Sequence, residues 1–203
     1  MGSVGYTVRF VEVSRCGRKL LTAGVLNATL WDVVLREPEQ DFAGAQITGA
    51  AVSGERVVLA SLSGEIAVWD RAGARRHSLL MRGGPVSCAL LRGGARLVAL
   101  APGEASVWDV ETGERLLELE GVAGAGGEVQ HMAVSPCGRL VGVCVPRSEP
   151  RQVYLMSVWE ASTGHRLSTM ATEVSDRPAV ASCAMAVGVA GSMRDAVMAR
   201  GGP

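Results

Sequence analysis

The 203-residue sequence has no net charge, because 20 Lys and Arg residues balance 20 Asp and Glu residues. Lysine occurs once, at Lys19, and the arginines are scattered along the chain. Such a balance creates no field that would attract nucleic acid or an anionic membrane. The sequence also lacks the run of about 18 or more apolar residues that a membrane-spanning helix needs. We therefore expect neither a nucleic-acid partner nor a membrane partner.

The cysteines are odd in number and widely spaced, and no two form a Cys-x-x-Cys pair: Cys16, Cys88, Cys137, Cys144 and Cys183. This pattern does not suit a disulfide framework or a zinc site, and it favours a reducing compartment. The first residues lack the apolar run of a secretory signal, and Tyr6 stands where a myristoylation signal has Ser or Thr. We therefore expect a cytoplasmic protein that holds no metal.

The common catalytic motifs are missing as well. The sequence contains no Gly-x-Ser-x-Gly elbow, no His-Glu-x-x-His pair and no phosphate-binding loop. Its three histidines, His77, His131 and His165, are isolated from one another. The glycine-rich stretch 121–127 is followed by no lysine, and the next segment has the pattern of a strand, so we interpret the stretch as a connector. We expect no enzymatic activity, no catalytic residue and no cofactor.

What the sequence does contain is a repeat. All four tryptophans occur in one context: Leu30-Trp31-Asp32, Val68-Trp69-Asp70, Val107-Trp108-Asp109 and Val158-Trp159-Glu160. The spacings between successive tryptophans are 38, 39 and 51 residues. A period of about 40 residues is typical of a propeller blade made of four short strands. The chain therefore divides into four units, at about 6–44, 45–84, 85–127 and 128–170.

Each unit is expected to contain four strands joined by short turns, with the tryptophan on the third strand and largely buried. Proline modifies this expectation in two places, because it cannot donate a hydrogen bond to a neighbouring strand. Pro38 predicts that the fourth strand of the first unit is weak or displaced towards an edge. Pro146 and Pro150 predict an interruption between the second and third strands of the fourth unit, whose longer period comes from insertions at 121–127 and 146–152.

The tail, 171–203, permits two interpretations. Its alanines and methionines allow a helix by propensity. Val180 to Met185, however, resembles Val86 to Leu90 of the third unit and falls near the first turn of a fifth unit. A partial fifth blade and a helix are therefore the two alternatives.

These features resemble the WD-repeat β-propeller family. The resemblance is carried by the four Trp-Asp/Glu sites, by the Ser-x-Cys-Gly-Arg turns at 14–18 and 135–139, and by the Thr-Gly turns at Thr112 and Thr163. It implies an all-β fold of about four four-stranded antiparallel blades plus a possible half blade. Family members usually close at seven blades, so the resemblance implies a partial propeller or a fragment, not a closed seven-bladed ring.

The copies depart from the family pattern, which has a Gly-His pair before the first strand and an Asp before the tryptophan strand. In the family, His, Ser or Thr, Asp and Trp form a hydrogen-bonded set that locks each blade. Here only Thr22 with Trp31 and Ser61 with Trp69 are candidates for part of such a set. The residues expected to anchor the repeats are Trp31, Asp32, Trp69, Asp70, Trp108, Asp109, Trp159 and Glu160.

The resemblance implies a non-catalytic scaffold for protein–protein interaction, with other proteins as partners. The alternative is a fragment of the sensor or regulatory propeller of a large multidomain nucleotide-dependent switch protein. A third reading is a propeller enzyme whose active site lies in other blades. An array with a missing neighbour leaves unpaired blade edges, which makes self-association a further expectation.

Insertions in repeat proteins collect on the binding face, and loops on a rigid scaffold commonly carry function. In a four-stranded meander the link into a blade and the second-to-third turn lie at the same end. The insertions at 121–127 and 146–152 are of these two kinds, so they are expected side by side. Arg147, Glu149 and Arg151 are the predicted partner contacts.

Overall fold

The computed structural model describes residues 7–82, 84–122, 131–147 and 153–173. All regular secondary structure in these ranges is β: sixteen strands form four antiparallel sheets of four strands each. The same ranges contain no helix, and therefore none that is long and apolar enough to cross a membrane. The predicted all-β class is confirmed, and the ranges contain four sheets of the propeller-blade kind.

The chain divides into two compact units, and the first, Met1–Glu118, contains three of the sheets. The first sheet consists of β1 (Phe10–Val13), β2 (Lys19–Ala23), β3 (Asn27–Asp32) and β4 (Glu37–Ala43). The second consists of β5 (Ile47–Val52), β6 (Arg56–Ser61), β7 (Glu65–Asp70) and β8 (Arg75–Leu80). The third consists of β9 (Ser87–Leu90), β10 (Arg96–Ala101), β11 (Glu104–Asp109) and β12 (Arg115–Glu118).

The second unit, Leu119–Pro203, contains the fourth sheet. Its strands are β13 (His131–Val134), β14 (Leu140–Arg147), β15 (Val153–Glu160) and β16 (Arg166–Glu173). In all four sheets the strands lie in chain order, each antiparallel to the next. This meander is the arrangement of a propeller blade.

A β-bulge recurs beside every tryptophan. The pairing between the third and fourth strands shifts register immediately before Trp31, Trp69, Trp108 and Trp159. A bulge increases the local twist and re-aims the side chain next to it. The repeat is therefore one of backbone geometry as well as of sequence, although the sequence pattern did not predict the bulges.

The core of the first unit includes two apolar layers between successive sheets. The layer between the first and second sheets includes Leu21, Leu30, Phe42, Val57 and Leu59. The layer between the second and third sheets includes Val58, Val68, Leu79, Leu97 and Ala99. Because both of its faces are covered, the second strand of the second sheet is a continuous apolar run and not an alternating one.

Tryptophan side chains face the preceding sheet in this unit. Trp69 of the second sheet packs against the layer shared with the first sheet, and its ring meets Phe42 edge-on with centroids 5.8 Å apart. Trp108 of the third sheet packs against the layer shared with the second. We call the side of a sheet that carries its tryptophan the tryptophan face, and the other side the opposite face.

Of the two alternatives for Pro38, a weak strand or one towards an edge, the structure shows the edge position, whereas the Pro146 prediction is wrong. The strand β4 contains Pro38 and is seven residues long, so it is not a weak strand. The strand lies at the edge of its sheet, and Pro38 is opposite Trp31 at the bulge, two settings in which a missing donor is tolerated. Pro146 is paired with Tyr154 inside a continuous β14, so the predicted interruption is wrong there.

The reason for this error lies in the neighbouring strands. The pairing of β14 with β13 ends at Cys144, opposite His131, whereas its pairing with β15 continues to Arg147. Pro146 therefore lies on a stretch with one described neighbour, where the sheet loses little from a missing donor. The strand β16 also extends three residues past position 170, to Glu173. Residues 174–203, and with them both alternatives for the tail, lie outside the described ranges, as does Pro150.

Candidate functional site

The four repeat anchors occupy equivalent positions. In every sheet the tryptophan is the last residue but one of the third strand, and the acidic residue is the last. Trp159 is buried, with 3% of its surface exposed, whereas Trp31, Trp69 and Trp108 are half-buried. The expected third-strand position is confirmed for all four tryptophans, and burial is deepest at Trp159.

The acidic anchors hold the turn between the third and fourth strands. Asp32 accepts hydrogen bonds from the backbone N–H groups two and three residues further on, both at 2.9 Å. Asp109 accepts the equivalent pair at 2.8 and 2.9 Å, and these donors hold the pKa of Asp109 below its ordinary value. Asp70 accepts from a backbone N–H four residues on, and Glu160 accepts from the hydroxyl of Thr163. These carboxylates shape turns, as short acidic side chains commonly do.

Among the described residues, tryptophan N–H groups find hydrogen-bond partners in two sheets. Trp31 donates to the hydroxyl of Thr22 at 2.9 Å, as the sequence suggested. Trp159 donates to the backbone carbonyl of Glu120 at 2.8 Å. The buried Nε1 atoms of Trp69 and Trp108 have no hydrogen-bond partner within the described ranges.

The predicted pairing of Ser61 with Trp69 is wrong. The Ser61 hydroxyl bonds to the Ser63 hydroxyl at 2.8 Å and donates to the Glu65 carbonyl at 3.0 Å. The register explains the difference, because Thr22 lies two residues beyond the position opposite Trp31. The same position in the second sheet is Leu59, since Val57 is opposite Trp69.

A compact charge cluster that the sequence analysis missed surrounds the single lysine. Lys19 is 5% exposed, and its Nζ lies 2.8 Å from Asp32 Oδ2 and 2.6 Å from Glu39 Oε2. Arg71, in the β7–β8 turn of the second sheet, forms an ion pair with Glu39. The cluster thus links the first two sheets. The signal in the sequence was the β2–β3 hairpin, whose register places Lys19 opposite Asp32.

The cluster shifts the titration of its members. The hydrogen bond from Lys19, together with backbone N–H groups, lowers the pKa of Asp32 to about 2. Burial acts to raise the pKa of Glu39, but hydrogen bonds from Lys19 and Arg71 outweigh it, and the pKa lies below its ordinary value. The hydrogen bond to Asp32 raises the pKa of Lys19. All three groups are therefore charged at neutral pH.

Stability should depend on pH through this cluster. A carboxyl with a lowered pKa stabilises the folded state above its unfolded pKa of about 4, and the contribution is lost as the pH falls. For Asp32 this loss falls between about pH 4 and pH 2. The urea midpoint of the wild-type protein should therefore fall over this window. Asp32→Asn should have a lower midpoint at pH 6 and a smaller fall on acidification.

Glu37→Gln provides the control for this titration. Glu37 is an exposed carboxyl on the same strand as Glu39, and it forms no hydrogen bond or ion pair within the part of the chain that is described. Its variant should follow the wild-type profile. Parallel profiles for the wild type and Asp32→Asn would contradict the assignment of the acid transition to this cluster.

The two Ser-x-Cys-Gly-Arg turns are alike in structure. The Ser14 hydroxyl accepts from the backbone N–H five residues on at 2.9 Å, and the Ser135 hydroxyl does the same at 3.0 Å. Gly17 and Gly138 have φ angles of 69° and 71°, which L side chains rarely adopt. Each serine hydroxyl also lies beside the exposed cysteine two residues on, at 3.4 Å and 3.2 Å from the sulfur.

The exposed thiols of these turns should be the reactive ones. Hydrogen bonds from Ser14 and Ser135 lower the pKa of Cys16 and of Cys137, whereas burial raises the pKa of Cys88 to about 12. Because the thiolate is the nucleophile, iodoacetamide at pH 7 should label the two exposed thiols at least about a hundredfold faster than Cys88. Mass spectrometry of digested samples over time measures the three rates.

Ser14→Ala tests the cause of this reactivity. It should slow the labelling of Cys16 and leave Cys137 unchanged, so that the second turn serves as an internal control. Labelling of Cys88 in the folded protein as fast as that of Cys16 would show that the pKa difference does not govern reactivity.

The predicted partner contacts fall mostly outside the described ranges. Arg147 is the last residue of β14, and Glu149 and Arg151 lie between β14 and β15 in the undescribed stretch 148–152. The register places the start of β13 at the same end of the sheet as the end of β14 and the start of β15. The start of β13, which follows 123–130, and the end of β14, which precedes 148–152, therefore lie at the same end of the sheet.

The ranges that the structure covers contain no group of three or more His, Cys, Asp or Glu side chains placed to hold a metal ion. The isolated histidines also make separate contacts. His77 Nε2 lies 2.6 Å from the Glu111 carbonyl, and His165 Nδ1 lies 3.0 Å from a carboxylate oxygen of Glu120.

Comparison with known proteins supports the fold but does not assign a function. No protein family and no curated protein matches the sequence. The chain is similar to one in the "Crystal Structure of Mitotic Checkpoint Complex", with a TM-score of 0.68 and 19% sequence identity. The similarity covers 83% of this chain, which spans about half of that one (52%). Because 917 chains of solved structures match, the fold is a common one and does not by itself select a function.

Proposed function

We propose that this chain is a non-catalytic protein–protein interaction scaffold of the WD-repeat type, whose partners are other proteins. The observation that carries the proposal is the set of regular four-stranded sheets, of which the fourth has both of its inserted segments attached at one end. A rigid sheet that presents loops at one end is a common way to build a binding surface. The acidic anchors serve turns, which leaves the loops as the candidate contacts.

The proposed contacts are Arg147, Glu149 and Arg151. Arginine is enriched at protein interfaces because its guanidinium forms several directed hydrogen bonds. The backbone position of Arg147 at the end of β14 supports its part in the proposal, since that strand is paired up to this residue. Proline restricts the backbone and so limits the conformational entropy that this segment loses on binding.

We also propose a cytoplasmic location. Cys16 and Cys137 are exposed free cysteines. Free surface thiols persist in a reducing compartment and tend to become oxidised outside one. Equal amounts of the protein in the cytoplasmic fraction and in the secreted fraction of cells would contradict this location.

The test is a quantitative capture experiment with matched variants. Proximity labelling with the wild-type chain identifies its neighbours, and the best of them is purified for a direct binding measurement. Arg147→Ala combined with Arg151→Ala should weaken that binding and leave the circular dichroism spectrum unchanged. The control combines Arg15→Ala with Arg92→Ala, two exposed arginines in first-to-second turns, at the other end of their sheets.

Unchanged binding by the loop variant would overturn the assignment of the contacts. Equal weakening by the loop variant and the control would show a general charge effect and would overturn it too. A partner that binds the wild type and the control alike, but not the loop variant, supports the proposal.

A further inference from the structure

The sheets of the first unit stack by a repeated rule. The tryptophan face of each later sheet packs on the opposite face of the sheet before it, as with Trp69 against Phe42. Leu79 occupies the register position of Phe42 in the second sheet, and it belongs to the layer that Trp108 meets. Both receiving residues are buried, at 2% and 4% exposure. In both contacts the later sheet contributes its tryptophan face and the earlier sheet contributes its opposite face.

The tryptophan face of the first sheet is the exception. Val11 and Val13 lie on it, opposite Thr22 and Leu20, and they are 59% and 58% exposed. The position of Val11 is taken in the second sheet by Ala50, which is buried. In the third sheet it is taken by Cys88, which is also buried. The first sheet therefore exposes Val11 at a position that is buried in the second and third sheets.

The turn that follows Trp31 also exposes apolar residues where the equivalent turns of the other two sheets make contacts. In the second and third sheets the equivalent turn packs on the fourth strand of the preceding sheet. A Cβ at Gly73 would lie 2.9 Å from the Gln40 side chain, and one at Gly113 would lie 3.1 Å from His77. In the first sheet this turn contains three exposed apolar residues, Val33, Val34 and Leu35. Contiguous exposed apolar residues of this kind mark an interaction site.

The opposite face of the fourth sheet, in the second unit, also carries apolar side chains. Met170 is opposite Met156, three residues before Trp159, and so holds the register position of Phe42 and Leu79. Unlike those two residues it is only half-buried, and Met156 and Val158 on the same face are half-buried as well. Flexible methionine side chains adapt readily to an incoming apolar surface.

We propose that this protein associates head-to-tail with a second copy of itself, the tryptophan face of the first sheet docking on the Met170 face of the fourth sheet. The argument for a second copy is that one chain carries both halves of the contact that recurs twice in its own first unit. The two surfaces differ, so the contact is heterologous and each copy offers one of each kind. This association is separate from partner binding by the loops, and either can fail without the other.

Sedimentation velocity of the full 203-residue chain over a range of concentrations tests the proposal. The wild type should show reversible association. Val34→Glu should weaken it by about tenfold or more, because docking would bury an unpaired carboxylate. Leu80→Glu is the matched control, because Leu80 is on the fourth strand of the second sheet and both residues are 71% exposed. It should associate like the wild type.

Mixing variants tests the polarity of the contact. Met170→Lys should also be defective alone, and Val13→Glu should repeat the defect of Val34→Glu from a different strand. An equimolar mixture of Val34→Glu and Met170→Lys should associate again, because one unaltered pair of surfaces remains between the two proteins. Circular dichroism and urea midpoints establish that each variant is folded.

Three results overturn the proposal. The first is a wild-type monomer at every concentration, which assigns the exposed face to another partner. The second is association of Val34→Glu equal to that of Leu80→Glu. The third is normal association of Met170→Lys beside defective Val34→Glu, which indicates contact between two tryptophan faces.

Discussion

Replacement of Trp159 by alanine should lower the free energy of unfolding by about 3–5 kcal/mol, the cost typical of removing a large aromatic side chain from a packed interior. Trp159 is the most buried of the four tryptophans, and its Nε1 donates to the Glu120 carbonyl at 2.8 Å. The alanine variant loses the packing of the ring and also the bond that ties residue 120 to β15. Urea unfolding followed by circular dichroism measures the change.

Two further variants separate these contributions. Trp159→Phe keeps a six-membered aromatic ring but loses the donor and the five-membered part of the indole, so it should cost less than Trp159→Ala, about 1–3 kcal/mol. Trp31→Ala should cost less than Trp159→Ala, because Trp31 is half-buried on the exposed face of the first sheet. If Trp31→Ala and Trp159→Ala have equal effects, burial does not determine what each tryptophan contributes.

The repeat could be predicted because the same pair of residues ends the third strand of all four sheets. Every copy has a tryptophan near the end of the third strand, followed by an acidic residue whose carboxylate accepts a hydrogen bond from the next turn. The two residues are adjacent in the sequence, so the pattern can be recognised there. Four sheets, their strand order and the third-strand position of each tryptophan follow from it.

Interactions that depend on register were harder to predict. Thr22 reaches Trp31 because it lies two residues beyond the position opposite that tryptophan, whereas Ser61 lies four beyond the position opposite Trp69. Because side chains alternate between the two faces of a strand, Thr22 and Ser61 both lie on the tryptophan face of their sheets. They differ only in their distance along the strand from the residue opposite the tryptophan. Counting residues from the turn between the second and third strands would have distinguished Thr22 from Ser61.

The Pro146 prediction failed for a related reason. Whether a strand tolerates Pro146 depends on which neighbour its missing N–H would have served, and that depends on where β13 begins. The charge cluster around Lys19 was likewise hidden, because Glu39 lies on the fourth strand and Arg71 comes from the next sheet. Residues far apart in sequence meet there through sheet stacking, which a linear pattern does not encode. Of the predicted partner contacts, only the backbone of Arg147 is described.

A single added methyl group should also be costly where two sheets approach most closely. Gly49 lies on β5, and a Cβ built there would be 3.0 Å from the Val86 carbonyl oxygen and 3.1 Å from the Cys88 nitrogen, which are backbone atoms leading into and within β9. The Thr48 hydroxyl reinforces this approach, because it donates to the Val86 carbonyl at 2.8 Å and accepts from the Val86 N–H at 3.2 Å. Backbone cannot rotate aside as a side chain can.

Gly49→Ala should therefore lower the free energy of unfolding by about 1–3 kcal/mol, the range found when a packed interior is overfilled. Gly54→Ala is the control, since a Cβ there meets nothing within 4 Å and the residue lies in the turn that follows the same strand. Its urea midpoint should stay close to that of the wild type. Equal midpoints for the two variants would mean that β5 and β9 can move apart at little cost, and that the close approach at Gly49 is not what holds the second and third sheets together.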